Sequence, residues 1–249
     1  MKKPSKAKAR WQNFVRFTGV FILKNGFRLI WMPKVRYESK EARDLLKTKE
    51  PLVIISNHCY WYDPLIFYVI SPTSKISVVA AKEVLEGFKG GLLRGLGCIP
   101  VDRTTMDLVC LRECAARVRE GDRVGIFPEG MMSFEEDMLP FKAGVSLISS
   151  QTGAKVVPVY LSGDYRLFGH LQVMVGDAVD LSNCFSTPAT AAEIAKGTDV
   201  LYDRMCALKE KLFAAMTEKQ RNGVENFRTK FSKNRASVIE EQHKEAVTK

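Results

Sequence analysis

Residues 51–64 read PLVIISNHCYWYDP. The run from Pro51 to Ile55 is apolar, with β-branched Val53, Ile54 and Ile55 together, and Ser56-Asn57 close it. A short unbroken apolar run ending in turn residues predicts a strand buried on both faces. Asp63-Pro64 then opens a helix, because proline suits a first turn in which its missing N–H has no partner. The same alternation continues along the chain. Strands are predicted at 76–81 (ISVVAA), 98–101 (CIPV), 123–127 (RVGIF), 155–162 (KVVPVYLS) and 171–176 (LQVMVG). Helices are predicted over 63–70, 83–95, 105–119 and 142–152. A capping box from Thr190 to Glu193 starts a long one with Val200, Leu201, Met205, Leu208, Leu212 and Met216 on its apolar positions. Strands alternating with helices predict an α/β layered fold, with a mostly parallel or mixed central sheet flanked by helices.

The turn after the 51–56 strand lies where open α/β sheets place ligands, beyond the carboxyl ends of their strands. His58 and Asp63 are five apart there. That spacing lets the carboxylate fold back on one imidazole nitrogen and leaves the other as an acceptor. The pair is a general base with its orienting carboxylate and no protein nucleophile; the nucleophile would be a substrate hydroxyl. The plainer reading is a buried structural His–Asp pair. Cys59 does not meet His58, since neighbours on an extended strand end point to opposite faces. His170 and His243 lack comparable surroundings.

Three further stretches stand at predicted strand ends. FPEGMMS (127–133) brings Glu129 and Gly130 toward the same cleft, IPVDR (99–103) ends in Arg103, a possible anion ligand, and Pro158 in VVPVYLSG (156–163) shapes a wall. Each of these alone is more often structural than functional.

Their order and spacing are specific. Asn57-His58 with Asp63, then Val101-Asp102-Arg103, then Phe127-Pro128-Glu129-Gly130, then Val157-Pro158-Val159 closely resembles the glycerolipid acyltransferase family, whose best-known members are the 1-acylglycerol-3-phosphate acyltransferases. The resemblance covers about residues 50–165 and includes Lys82 in AAKEVL and Lys142-Ala143-Gly144. It implies that His58 deprotonates an acceptor hydroxyl, Asp63 supports the imidazolium, and the oxygen attacks the thioester of acyl-CoA or acyl carrier protein. In the family's pattern Asn57, Lys82, Arg103, Glu129, Gly130 and Lys142 are substrate-binding, and neither a metal nor a tightly held cofactor takes part. One departure stands out. Members acting on lysophosphatidic acid usually read Glu-Gly-Thr-Arg, whereas this chain reads Glu129-Gly130-Met131-Met132, so a phosphomonoester loses a bidentate partner. Arg103, Lys82 or Lys142 would compensate, or the acceptor is less charged.

Charge adds a location. The net +10 lies wholly in residues 1–50, with 14 Lys/Arg against 4 Asp/Glu; residues 1–36 hold ten basic residues and no acid. Such a one-sided charge points to an anionic partner. On a helical wheel Arg10, Asn13, Arg16, Lys24 and Arg28 share an arc of about 120°, with Trp11, Phe14, Val15, Phe21, Ile22 and Leu29 opposite. Phe17 and Val20 intrude on the polar arc. An aromatic, cationic helix without acids predicts an amphipathic segment on a membrane surface; the alternative is a helix that buries this apolar face on the body. The apolar run is too short, and too often broken by cations, to span a bilayer. Arg16 also interrupts any cleavable leader.

The six cysteines form no C-x-x-C pair, and Cys110 and Cys114, four apart on one apolar face of a predicted helix, read as reduced core residues of a cytosolic protein. The division expected is a basic membrane-associating segment (1–36), the acyltransferase domain (37–220) and a polar tail (221–249), peripheral or monotopic on the cytoplasmic face of a membrane. The partners expected are the acyl thioester, a lipid acceptor and an anionic membrane. A nucleic-acid partner is not expected, because the basic residues are interleaved with large apolar ones and no reading motif is present. A non-catalytic membrane-binding protein and a hydrolase using the same base on water are the competing readings.

Overall fold

Strand β2 (Val53–Ser56) is wholly buried because it is paired on both edges and covered on both faces. In the computed structural model, which describes residues 6–71, 73, 75–102, 107–133 and 137–247 (the side chains of 6–15, 87–89, 92 and 233–247 aside), β2 pairs in parallel with β5 (Arg123–Ile126) and β6 (Val156–Leu161). Outward from β5 come β3 (Ile76–Ala81) and β4 (Ile99–Val101), both parallel. On the other side β7 (Gln172–Val175) runs antiparallel to β6, and β1 (Lys34–Tyr37) pairs in parallel with β7. The seven-stranded order is β1-β7-β6-β2-β5-β3-β4, the mixed, mostly parallel sheet expected.

Alternation along the strands separates two cores. Val53, Ile55, Val124 and Tyr160 face one side, against α5 (Leu108–Arg119), α6 (Gly144–Thr152) and α7 (Ala191–Ala214). Ile54, Val78, Val159 and Val173 face the other, against α3 (Pro64–Ile70) and α1 (Lys6–Trp31). The capping box at Thr190 forms as predicted and starts α7. Asp107 caps α5 by accepting the Cys110 amide, so that helix begins later than its periodicity alone indicated. The predicted 83–95 helix is divided into a 3-10 turn at Lys82–Leu85 and α4 (Gly87–Gly95).

Two elements carry no clear sequence signal. β1 is four residues long with two cations, and α2 (Lys40–Lys47) is a short polar helix capped by Ser39. β1 straddles the division drawn at residue 36 and belongs to the same sheet. Arg123 ties α2 in: its buried guanidinium donates to the carbonyls of Leu46 (3.0 Å), Thr48 (2.8 Å) and Glu50 (3.2 Å). At the other end, the polar tail is helical: α8 (Glu218–Val247) packs its first turns on the body through Val224 and Phe227.

Helix α1 docks on the body by the arc that carries its cations, not by the apolar face that the docking alternative assigned. Arg16 lies 3.2 Å from Asp122 and donates to the Ile76 carbonyl (2.7 Å), while Lys24 donates to the Ser71 carbonyl (3.2 Å). Val20 and Phe27 are buried beside them. The edge formed by α3 and β3 offers a carboxylate and open carbonyls, so long cations reach them while apolar neighbours fill the gap. Phe17, Phe21, Ile22 and Leu29 are left exposed. No helix among the described residues is long and apolar enough to cross a membrane.

Candidate active site

The site is assembled where β2, β5 and β6 end. Asn57 joins two of these ends: its amide nitrogen donates to the Leu161 carbonyl (3.0 Å), and its oxygen accepts the Leu161 amide (2.8 Å). The next residue is therefore presented from a fixed edge. His58 stacks on Phe127, with ring centroids 4.1 Å apart and planes inclined by 17°. Its own amide donates to Glu129 Oε1 (2.9 Å), and its carbonyl accepts the Ser133 amide (2.8 Å).

The imidazole Nδ1 lies 2.9 Å from Asp63 Oδ2. Asp63 stands just before α3, fully buried, and the tight turn brings the amides of Cys59 (2.6 Å) and Tyr60 (2.7 Å) to the same oxygen. Its other oxygen accepts the Tyr165 hydroxyl. A carboxylate so surrounded by donors is an acceptor, so Nδ1 carries the proton and Nε2 of a neutral ring holds the lone pair. His58 keeps 18% side-chain exposure and lines a cleft of about 190 Å³ with Trp61, Phe127, Met131 and Met132. A larger, mainly apolar cavity of about 530 Å³ adjoins it, sharing Val79, Val101, Phe127 and Gly130, and extends to Cys114, Leu147 and Ile194.

A base with a fixed lone pair, next to an apolar cavity, suits proton removal from a hydroxyl beside a fatty chain. Known proteins point the same way. Residues 35–162, about half of the chain, match the family model described as Acyltransferase.

The chain belongs to the acyltransferase family.

Its relatives include three 1-acyl-sn-glycerol-3-phosphate acyltransferases. The chloroplastic one of Brassica napus is 28% identical over 59% of this chain and 43% of its own length. That of Bacillus subtilis is 26% identical over 68% and 87%, and the beta form of Homo sapiens 31% over 51% and 47%. The match thus spans less than half of the plant and human relatives. The fold is shared with the crystal structure of the 1-acyl-sn-glycerophosphate (LPA) acyltransferase PlsC from Thermotoga maritima, at a TM-score of 0.57 and 21% identity, covering 84% of each chain. The chain is thus a member of the acyltransferase family related to these 1-acyl-sn-glycerol-3-phosphate acyltransferases.

The other residues singled out by the family pattern take different positions around the dyad. Both oxygens of buried Glu129 are occupied by backbone amides, those of His58 and Leu139 (2.8 Å). Its carboxyl is pushed up from the usual range, because burial outweighs these bonds. Gly130 has a φ of 74°, and a Cβ there would come 2.7 Å from Lys142 Cε. The Lys142 side chain thus crosses Gly130 at the wall of the apolar cavity. Lys82 is exposed on the 3-10 turn, its ammonium 4.0 Å from Asp102. Arg103 lies outside the described residues. Cys59 is partly buried, and desolvation with the neighbouring Asp63 pushes its thiol well up, which keeps it protonated and unreactive. Among the described residues no group of His, Cys, Asp and Glu is placed to hold a metal ion.

Two participants were not legible beforehand. Tyr165 reaches Asp63 from 102 residues away. Arg228, on α8, lines a cavity of about 10 Å³ with Asn57, His58, Glu129 and Tyr160. Phe227 and Phe231 of the same helix lie edge-on to Tyr60, with centroids 5.8 and 4.8 Å from it. Nothing in the polar sequence of α8 marked it as a flank of the site.

Proposed function

We propose that the protein transfers a fatty acyl group from the thioester of acyl-CoA or acyl carrier protein to the hydroxyl of a lysophospholipid, in phospholipid biosynthesis, with 1-acylglycerol-3-phosphate as the first acceptor to test. The observation that carries this reading is His58, with Nδ1 tied to Asp63 and Nε2 left for the cleft beside the apolar cavity. The acceptor oxygen attacks the thioester carbonyl while Nε2 takes the hydroxyl proton, and a tetrahedral intermediate forms. Its collapse breaks the C–S bond, and the departing sulfur takes the proton back from His58. Asp63 stabilises the imidazolium between the two steps. The acyl chain lies in the apolar cavity. Asn57 and Glu129 act by holding the backbone around His58, and Gly130 gives Lys142 its path along the cavity wall. Lys142, Lys82 and Arg103 are the cations proposed for anionic groups of the two substrates.

Met131 and Met132 favour a second reading of the acceptor, because they line the His58 cleft with thioethers. A less charged lysophospholipid, or another hydroxylated lipid, needs no bidentate phosphate partner there. The exposed outer face of α1, with Phe17, Phe21, Ile22 and Leu29, is proposed to lie on the cytoplasmic surface of an anionic membrane.

The test is mass spectrometry of lipid products from acyl-CoA or acyl carrier protein with a panel of lysolipids differing in headgroup charge. A diacyl product is expected, together with a loss of roughly 10²–10⁴ in rate for folded His58→Ala. Free fatty acid as the sole product would make the protein a hydrolase, and unchanged turnover in His58→Ala would remove the proposed base.

A further inference from the structure

Among the described residues, the two non-glycine residues in the left-handed region are Met32 (φ 43°) and Phe168 (φ 67°), and their segments meet. The Phe168 amide donates to the Ile30 carbonyl (3.2 Å) and the Gly169 amide to the Trp31 carbonyl (2.9 Å). Loop 164–169 therefore caps the last turn of α1, where helix carbonyls lack partners of their own. Glycine or asparagine normally takes such backbone positions; bulky side chains there are outliers that need another reason. Burial is not the reason, for Phe168 is 71% exposed, Leu167 51% and Met32 54%.

The base of this loop is firmly held. Trp31 donates its indole N–H to the Tyr165 carbonyl (3.0 Å), Tyr165 bonds Asp63, and Arg166 bonds Asp164 (2.6 Å) where Gly223 of α8 packs closely. The exposed apolar tip thus stands on a fixed support. Around it lie Leu29 and Ile30 on α1 and, through Trp31 with its ring centroid 4.7 Å from that of Tyr62, exposed Tyr62 and Trp61. Trp61 also lines the cleft of His58.

We infer that Leu167 and Phe168 form a second membrane-insertion point, distinct from the outer face of α1, which holds the mouth of the His58 cleft against an anionic phospholipid leaflet. Charge selects the bilayer over a second protein surface. Exposed Arg28 and Lys34 flank the tip, and residues 1–36 hold ten basic residues and no acid. Large apolar tips among cations suit the headgroup region, where the apolar parts enter and the cations remain with lipid phosphates. Continuity with the cleft gives a lipid acceptor a short path from leaflet to His58; this part rests on the lysophospholipid reading above.

The test is sedimentation of the full chain with vesicles of phosphatidylcholine and phosphatidylglycerol, comparing wild type with the double variant Leu167→Ser/Phe168→Asn. Asparagine tolerates the left-handed backbone, so the loop keeps its path. Vesicle affinity should fall at least about tenfold, since two large apolar side chains no longer leave water. Turnover of a short-chain acceptor below its micellar concentration, with a soluble thioester, should be unchanged. Undiminished vesicle binding overturns the inference, as does loss of the monomeric turnover together with binding, which would make the loop structural. A Phe168→Trp variant gives an independent measure: added fluorescence quenched by brominated lipid supports insertion, and its absence overturns it. A dimer in lipid-free solution that the double variant dissociates would assign the surface to a second copy and overturn the inference as well. If Phe168→Trp is quenched while wild type acylates no acceptor, the transfer reading falls and the docking surface stands.

Discussion

At the scale of single residues, the site is a set of hydrogen bonds that each remove a freedom. Asp63 uses its oxygens on five donors, and one of these, His58 Nδ1–H, decides which imidazole nitrogen is left for chemistry. Glu129 holds the His58 backbone from the other side, at the expense of burying a carboxyl that accepts two neutral amides. Because burial raises its proton affinity, the folded state binds this proton more tightly than the unfolded chain does. The consequence is a stability that falls as pH rises from the ordinary carboxylate range through the raised value. Glu129→Gln keeps the shape and removes the titration. Thermal melts of wild type and variant between about pH 4 and pH 8 should show a shallower slope in the variant. Parallel curves would mean that Glu129 does not titrate in that window. The pairing of His58 with Asp63 was legible from their spacing in the turn after a buried strand. Its second support, Tyr165, was not, because a tyrosine in an ordinary GDYR loop has no local feature that marks a partner so distant in sequence.

At the scale of elements, α1 shows that a wheel identifies two faces without saying what the polar one meets. Its cations looked like the outward face; two of them, Arg16 and Lys24, reach inward to Asp122 and to backbone carbonyls. Amphipathicity alone cannot tell a helix whose cations meet protein acceptors from one whose cations meet water. The two faces predict different losses. Phe27→Ala removes a buried ring and should lower stability by about 3–5 kcal/mol. Phe21→Glu with Leu29→Glu should leave the melting temperature within a few degrees and reduce vesicle binding strongly. Denaturation and flotation on the same preparations check both. An equal loss of stability in both variants would mean that the outer face packs on protein. Deletion of the whole helix is a poorer test, since it removes Val20 and Phe27 and uncovers the core they share with α3. Strand β2, in contrast, was readable from its own residues, because burial on both faces leaves no room for a polar position.

At the scale of the whole molecule, the net charge of +10 and its confinement to residues 1–50 describe one end of the protein rather than its average. The tertiary structure brings that end, through Trp31 and loop 164–169, to the neighbourhood of Asp63. Two contributions to membrane affinity are then expected, an ionic one that salt screens and an apolar one that it does not. Raising ionic strength should weaken vesicle binding to a plateau rather than abolish it, and the plateau should be lost in the Phe21→Glu/Leu29→Glu variant. Complete release of wild type by salt would leave the basic residues as the sole anchor.

What the sequence determined by itself was whatever is written in neighbouring residues. The alternation of buried strands and helices, the capping box at Thr190 and the five-residue spacing of His58 and Asp63 all act over one or two turns of chain, so periodicity and turn chemistry expose them. The tertiary structure alone decided the remainder. It placed β1 at the sheet edge, turned Arg16 inward, brought Tyr165 to Asp63 and laid α8 with Arg228 along the flank of the site. Those contacts join residues far apart in sequence, 60 positions for Arg16 and Ile76 and 102 for Tyr165 and Asp63. Their energies depend on burial and on which donors and acceptors the packed layers leave free. Neither exists until the sheet has formed.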